Sequence, residues 1–155
     1  MNISTRLALQ EDLPVIARLF DLYRQFYDQQ PNLALAREFL TERFNRGESV
    51  ILVAEEQEHG AVGFCQMYPT FCSVEAAPIY SLYDLFVLPV ARNMGAGRQL
   101  LQAAEERARA DGMARMDLTT AKTNLAAQSL YESMGWVRDE IFYAYNRRPS
   151  SQTPV

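Results

Sequence analysis

The sequence predicts a mixed-sheet α/β fold of the α+β kind, and three observations carry that prediction. Residues 49–55 and 61–68 are β-branched and apolar and flank a polar stretch ending in Gly60, the pattern of an antiparallel hairpin. From residue 79 onward the order becomes strand, helix, strand, helix, which requires at least one parallel pairing through a crossover. The chain has 155 residues, 48% apolar and 22% charged, so one core fits and a second domain does not.

The elements follow in order. Residues 4–9 alternate enough for a short strand, and Glu11, Asp12 and Pro14 then favour a helix start. Leu13, Ile16, Phe20, Tyr23 and Tyr27 recur at three- and four-residue spacing along one helical face, and Pro31 is expected to stop it. A second helix is predicted over 33–45, with Gly47 as its breaker. The hairpin comes next, then a loop over 69–78 and a third apolar strand over 79–88 closed by Pro89. Residues 97–111 read as a helix, with Leu100, Leu101, Ala104 and Ala108 on one side, ended by Gly112. A strand over 115–120, a short helix over 125–134 ended by Gly135, and a closing strand pair at 136–138 and 141–145 complete a count of about seven strands and four helices. Residues 1–146 form one expected domain, and 147–155 a polar, proline-containing tail with nothing to bury.

Composition removes several functions. A net charge of −4 and a pI near 5.0 have the wrong sign for gripping nucleic acid phosphates. No aliphatic run approaches the ~20 residues that cross a bilayer, and the N-terminal residues lack a signal-peptide core, so a cytoplasmic protein without a membrane partner is expected. Cys65 and Cys72 match no zinc spacing, and His59, the only histidine, lies in a polar turn without a nucleophile or further ligands nearby. No metal site is expected.

Between the strand ending at Leu88 and the helix near Gly97 stands PVARNMGAG, in which Arg92, Gly95 and Gly97 form R-x-x-G-x-G. A strand turning through glycines into a helix leaves backbone N–H groups pointing out of the helix start, where peptide dipoles add positive charge. Glycine lets an anion approach the backbone, and Arg92 and Arg98 can add charge-assisted bonds. The same glycines would equally serve a purely structural turn. A Walker loop is excluded because Arg98 and Gln99 follow Gly97, and a dinucleotide fingerprint lacks its third small residue at Leu100.

With the strand MDLTT, Asn124 and the run LYESMGW that follow, the chain resembles the GNAT superfamily of acetyl-CoA-dependent N-acetyltransferases over residues 79–145. Within it, YDLFVLPVARNMGAG and TTAKTNLAAQSLYESMGW look most like the branch of yeast and bacterial histone and small-amine acetyltransferases. The resemblance implies a mostly antiparallel sheet splayed between its two central strands, with acetyl-CoA in the gap. The backbone at Arg92, Asn93, Met94, Gly95, Ala96, Gly97 and Arg98 would hold the coenzyme's pyrophosphate. The edge at Leu85, Phe86 and Val87 would pair with the pantetheine arm, Asn124 would contact the coenzyme near the pantetheine end, and Tyr131 would face the thioester sulfur. A homodimer through the closing strands is common in the superfamily.

Acetyl transfer to an amine needs a neutral nucleophile, a polarised carbonyl and a proton for the leaving thiolate. A phenol of pKa about 10 stays protonated at neutral pH and can supply that proton, which suits Tyr131. Asp84, an acid embedded among Leu82, Tyr83, Leu85 and Phe86, is the candidate base, acting directly or through water; a structural carboxylate bonded to backbone or tyrosine is the alternative. Some superfamily members acting on polyamines and amino sugars carry a glutamate where this chain has Tyr83. Tyr23, Tyr27, Tyr68 and Tyr83 would line the acceptor side, suited to an alkyl or aromatic stem. The acceptor is a small-molecule amine or a peptide lysine. A non-catalytic CoA-binding module of the same fold is the rival reading.

Overall fold

The computed structural model describes residues 2–150, which divide into two units, one ending at Thr119 and one beginning at Thr120. The first unit runs β1 (Ile3–Leu7), a 3-10 turn (Gln10–Asp12), α1 (Leu13–Phe26), α2 (Leu33–Asn45), β2 (Val50–Glu56), β3 (Gly60–Cys72), β4 (Ala77–Val87), a second 3-10 turn (Pro89–Ala91), α3 (Ala96–Ala110) and β5 (Met116–Asp117). The second unit contains α4 (Leu125–Ser133).

The strands lie in the order β1-β2-β3-β4-β5, antiparallel up to β4 and parallel between β4 and β5. Ile51 and Val53 of β2 are buried in one cluster with Ile16, Phe20, Leu40, Phe64 and Phe86, so the α1–α2 pair seals one face of the sheet. Leu52 and Ala54 alternate with them and are buried as well. Helix α3, with Leu100, Leu101, Ala104 and Ala108 buried, packs across β1 to β4. Between β3 and β4 the approach is close at Gly63, where a Cβ would come within 2.8 Å of the Phe86 carbonyl oxygen.

Helix α2 occupies the predicted span, and the hairpin and α3 form within a few residues of expectation. Helix α1 ends five residues before Pro31. Asp28 adopts φ 64° there, and the Gln29 and Asp28 amides donate back to the Arg24 and Gln25 carbonyls, closing a Schellman motif that needs no proline. The loop expected over 69–78 is mostly strand: Thr70 pairs with Ile79 and Phe71 with Pro78, leaving a turn at 73–76.

The described residues hold five strands rather than about seven. The closing pair at 136–138 and 141–145 does not form, because the Ile141 and Phe142 amides donate to the Asp139 carboxylate instead of to a ladder. The strand expected over 115–120 shrinks to Met116–Asp117, the only positions that pair with β4. Of the predicted tail, 147–150 is exposed and irregular, and 151–155 lies outside the described residues.

Candidate active site

The distinctive feature of the sheet is how soon β4 and β5 part. They pair only at Tyr80 with Met116 and Ser81 with Asp117, while β4 continues to Val87. From Asp84 to Val87 the strand is bonded to β3 on one side and has no strand partner on the other among the described residues. Beside Leu85, Phe86 and Val87, where the gap is predicted, the first unit therefore pairs no second strand with β4 among the described residues.

The chain leaves β4 through the Pro89–Ala91 turn and enters α3 through a loop with two left-handed residues, Asn93 at φ 64° and Gly95 at φ 85°. Asparagine tolerates that conformation and glycine adopts it without strain. Alternation of right- and left-handed residues turns successive N–H groups toward one side, the geometry of an anion-binding nest. The amides of Asn93, Met94, Gly95, Ala96 and Gly97 have no backbone acceptor among the described residues, and Gly95, at the N-cap of α3, offers no side chain to cap them. A Cβ on Gly95 would meet no atom within 4 Å, so the loop faces open space there. Arg92 donates from Nε to the Val87 carbonyl at 3.0 Å and stacks over Phe86, which anchors an exposed guanidinium at the end of β4. No carboxylate lies within ion-pair distance of it among the described residues. Arg98 sits in the first turn of α3.

At the same strand's interior lies the acid. The register slips between Gln66 and Met67, which pair with Asp84 and Leu82, so Tyr83 is the extra residue of a β-bulge on β4. Its carbonyl accepts a hydrogen bond from the Tyr23 hydroxyl of α1 at 2.9 Å, and its side chain is 64% exposed. Asp84 is 3% exposed and beside Tyr23; burial pushes its carboxyl up to about 6, against the hydrogen bonds from Gln66 and Tyr23 that favour the charged form. Gln66, fully buried, donates from Nε2 to Asp84 at 2.5 Å. Burial and the nearby Asp84 charge push the Tyr23 and Tyr68 hydroxyls and the Cys65 thiol upward, so all three stay neutral across the physiological range. Tyr68 packs on Tyr83 with ring centroids 5.4 Å apart, and Tyr23 on Tyr27 at 5.1 Å.

The structure thus brings together Asp84, Tyr23, Tyr27, Tyr68 and Tyr83, with the open edge at Leu85 to Val87 continuing from them. Gln66 and the bulge at Tyr83 were not singled out by sequence. A glutamine inside a strand of otherwise apolar residues is the one signal that could have drawn attention to the first.

In the second unit, Asn124 caps α4, its side-chain oxygen accepting from the Ala127 amide at 3.2 Å, which leaves its NH2 group outside the cap. Tyr131 lies on the last turns of α4, half-buried, with its ring 6.1 Å from Trp136; Gly135 in the left-handed region turns the chain so that the Trp136 amide reaches the Tyr131 carbonyl.

Comparison with known proteins gives the family and the fold. The acetyltransferase (GNAT) family pattern matches residues 16–136. An uncharacterized N-acetyltransferase of Bacillus subtilis, YhfO, is 47% identical over 145 residues, covering 94% of this chain and 95% of that one. A crystal structure of a probable acetyltransferase superposes with a TM-score of 0.87 at 37% identity, over 98% of this chain and 100% of its own. AAC(6')-Iy in complex with the bisubstrate analogue CoA-S-monomethyl-acetylneamine shares the fold, at a TM-score of 0.78 and 20% identity over 96% and 99% of the two chains. With a family match over most of its length and a relative of nearly half its residues in common, this chain belongs to the GNAT family and is an acetyltransferase.

Proposed function

We propose that the chain transfers an acetyl group from acetyl-CoA directly to a primary amine, as one catalytic domain over residues 1–146. The observation that carries this reading is the run of amides from Asn93 to Gly97 without backbone acceptors among the described residues, just after the part of β4 that pairs, among those residues, with β3 alone. These residues fit the coenzyme. The nest and helix start suit a pyrophosphate, Arg92 and Arg98 add charge, Met94 and Ala96 complete the loop, and the edge at Leu85, Phe86 and Val87 offers its backbone to an amide-bearing arm. Asn124 is assigned to the same ligand through its side-chain NH2 group, its oxygen being used in the cap of α4. The coenzyme, when bound, supplies an activated acyl group on sulfur.

The chain's own residues do the rest. Asp84 takes the proton that an incoming ammonium must lose, directly or through water. Its carboxyl, with a proton affinity near neutrality and no cation beside it, is suited to that exchange. Tyr131 is assigned the donation of a proton to the leaving thiolate. Cys65 does not serve as an acyl carrier, since it is buried and its thiol is held protonated. Tyr23, Tyr27, Tyr68 and Tyr83 form the acceptor side, an aromatic surface with one acid at its inner end. That surface favours a single amine on an alkyl or aromatic stem, on a small molecule or a peptide lysine. The reading also places the protein in the cytoplasm. A homodimer would draw on the exposed Ile141, Phe142, Tyr143 and Tyr145 of the second unit.

Free thiol released from acetyl-CoA across a panel of amines tests the reading. Tyr131→Phe should lower turnover on the best acceptor by about 100-fold while coenzyme affinity stays within about twofold. Unchanged turnover would remove Tyr131 from the mechanism.

A further inference from the structure

Gln66 is a residue the fold has no evident need for. It is fully buried in the middle of β3, where Phe64, Cys65 and Met67 are also buried, yet its Oε1 has no hydrogen-bond partner among the described residues. Burying an amide with half its capacity unmet is unfavourable, and an apolar side chain of similar shape would avoid that cost. The other half of the amide is fully used: Nε2 donates to Asp84, its cross-strand neighbour, at 2.5 Å.

Every other group facing Asp84 is neutral in the range where a carboxyl exchanges its proton. Tyr23 from α1, and Cys65 and Tyr68 from β3, are all held protonated. The Tyr23 hydroxyl donates to the Tyr83 carbonyl and also lies within hydrogen-bonding reach of Asp84, so it favours the carboxylate form alongside Gln66 without carrying a charge. Arg43 of α2 acts on Tyr68, and no arginine or lysine pairs with Asp84 among the described residues. His59 sits at the hairpin turn between β2 and β3, bonded to Glu56.

We propose that Gln66 is a positioning residue for Asp84, its side-chain N–H orienting and holding the carboxylate form of a buried acid that has no cation beside it. The orphaned Oε1 is the cost of placing that donor. The inference rests on Asp84 being the base for its catalytic meaning, but not for its physical content.

The test is an infrared titration of the unliganded protein labelled with carbon-13 aspartate, with Asp84→Asn subtracted to isolate the buried carboxyl, alongside the pH dependence of kcat/KM. Gln66→Met keeps the shape and removes the donor. The Asp84 midpoint should rise by about one pH unit, a tenfold gain in proton affinity, as expected for losing a hydrogen bond to a charged group. Thermal stability near pH 5 should be unchanged or higher, because the orphaned oxygen is gone. Gln66→Glu, should the first variant not fold, places a second carboxyl there and should raise the midpoint further. A midpoint within about 0.2 unit of the parent in whichever variant folds would overturn the proposal; so would a Gln66→Met protein with lower stability at every pH and an unmoved midpoint, the mark of a merely structural side chain. The acid limb of kcat/KM should follow the infrared midpoint, with KM for acetyl-CoA unchanged. If the midpoint moves and the kinetic limb does not, Asp84 is not the base, and the hold of Gln66 on the carboxyl stands without it.

Discussion

Helix α2 begins with its polar groups provided for, and helix α3 begins with them bare. At the start of α2 the Asn32 side chain accepts from the Leu35 amide at 3.1 Å, its carbonyl accepts from Ala36, and its own amide goes to the buried Asp21. At the start of α3 the capping position is Gly95, which has no side chain, and the amides before and after it have no backbone acceptor among the described residues. Both helices belong to the same unit and both are well packed, so a general weakness of the fold does not explain the difference. Glycine in place of a capping side chain costs about a few tenths of a kcal/mol. The chain accepts that cost and a left-handed Asn93 as well, in the loop that the proposed coenzyme site would use.

The sharpest way to break the comparison is to give α3 the negative charge its N-terminus lacks. Gly97→Glu places a carboxylate in the first turn, where it gains about 0.3–1 kcal/mol from the dipole. It also occupies the position assigned to the pyrophosphate. The expected outcome is a protein as stable as the parent, or slightly more so, that no longer responds to coenzyme. For the parent, CoA at about 100 times its Kd should add about 2.7 kcal/mol to unfolding stability. The variant should lose the whole increment, read as the shift in Tm with and without CoA. An undiminished shift would mean that the loop before α3 is a structural turn and no more.

A second contrast lies between polar groups left for a ligand and one left only partly answered by the protein. Neither helix start titrates, but Asp84 does. Its folded value of about 6 lies above the ordinary 3.8, because burial penalises the charge more than Gln66 and Tyr23 relieve it. A raised carboxyl means the unfolded chain gives up its proton first. Stability from this group is intact below about pH 4 and is lost as pH climbs through about 6, by about 3 kcal/mol in all. Asp12 and Asp111, held low by Arg6 and Arg107, work in the opposite sense, so the comparison must be between the parent and Asp84→Asn. Urea unfolding at pH values from about 4 to 8 should show the two curves diverging, the parent losing stability relative to the variant as pH rises. Parallel curves would mean that Asp84 is far better solvated than its position in the sheet implies.

The two helix starts also separate what could be read from the chain alone and what could not. The span of α2, the glycine loop and the C-terminal stops at Gly47, Gly112 and Gly135 were legible because caps, periodicity and left-handed turns are set by residues within a few positions of one another. Asp84 was legible as an acid in an apolar strand. Its partner was not, since Gln66 meets it only through a register 18 residues distant, shifted by a bulge that nothing in Tyr83 announces. The same limit explains the sheet. Residues 69–78 look like a loop because they hold two prolines, yet pairing carries β3 and β4 through both. Residues 136–145 look like strands, yet Asp139 takes the amides a ladder would need. Local chemistry is written in the sequence; ladder partners are decided by the rest of the molecule.

The smallest effect is the control that gives the comparison its meaning. Asn32→Ala removes the side-chain acceptor from the Leu35 amide while leaving the backbone bonds of Asn32 in place. The loss should be about 1 kcal/mol, or roughly 3 °C in Tm for a chain of this size. The increment that CoA adds should be unchanged, because nothing at the start of α2 is kept open for a ligand. If Asn32→Ala instead reduced the response to CoA, the distinction between a helix start that serves the fold and one that serves the site would fail. The open amides before α3 would then need another explanation. If stability falls and the coenzyme response holds, the missing cap at Gly95 marks where this fold leaves its backbone to be completed by its substrate.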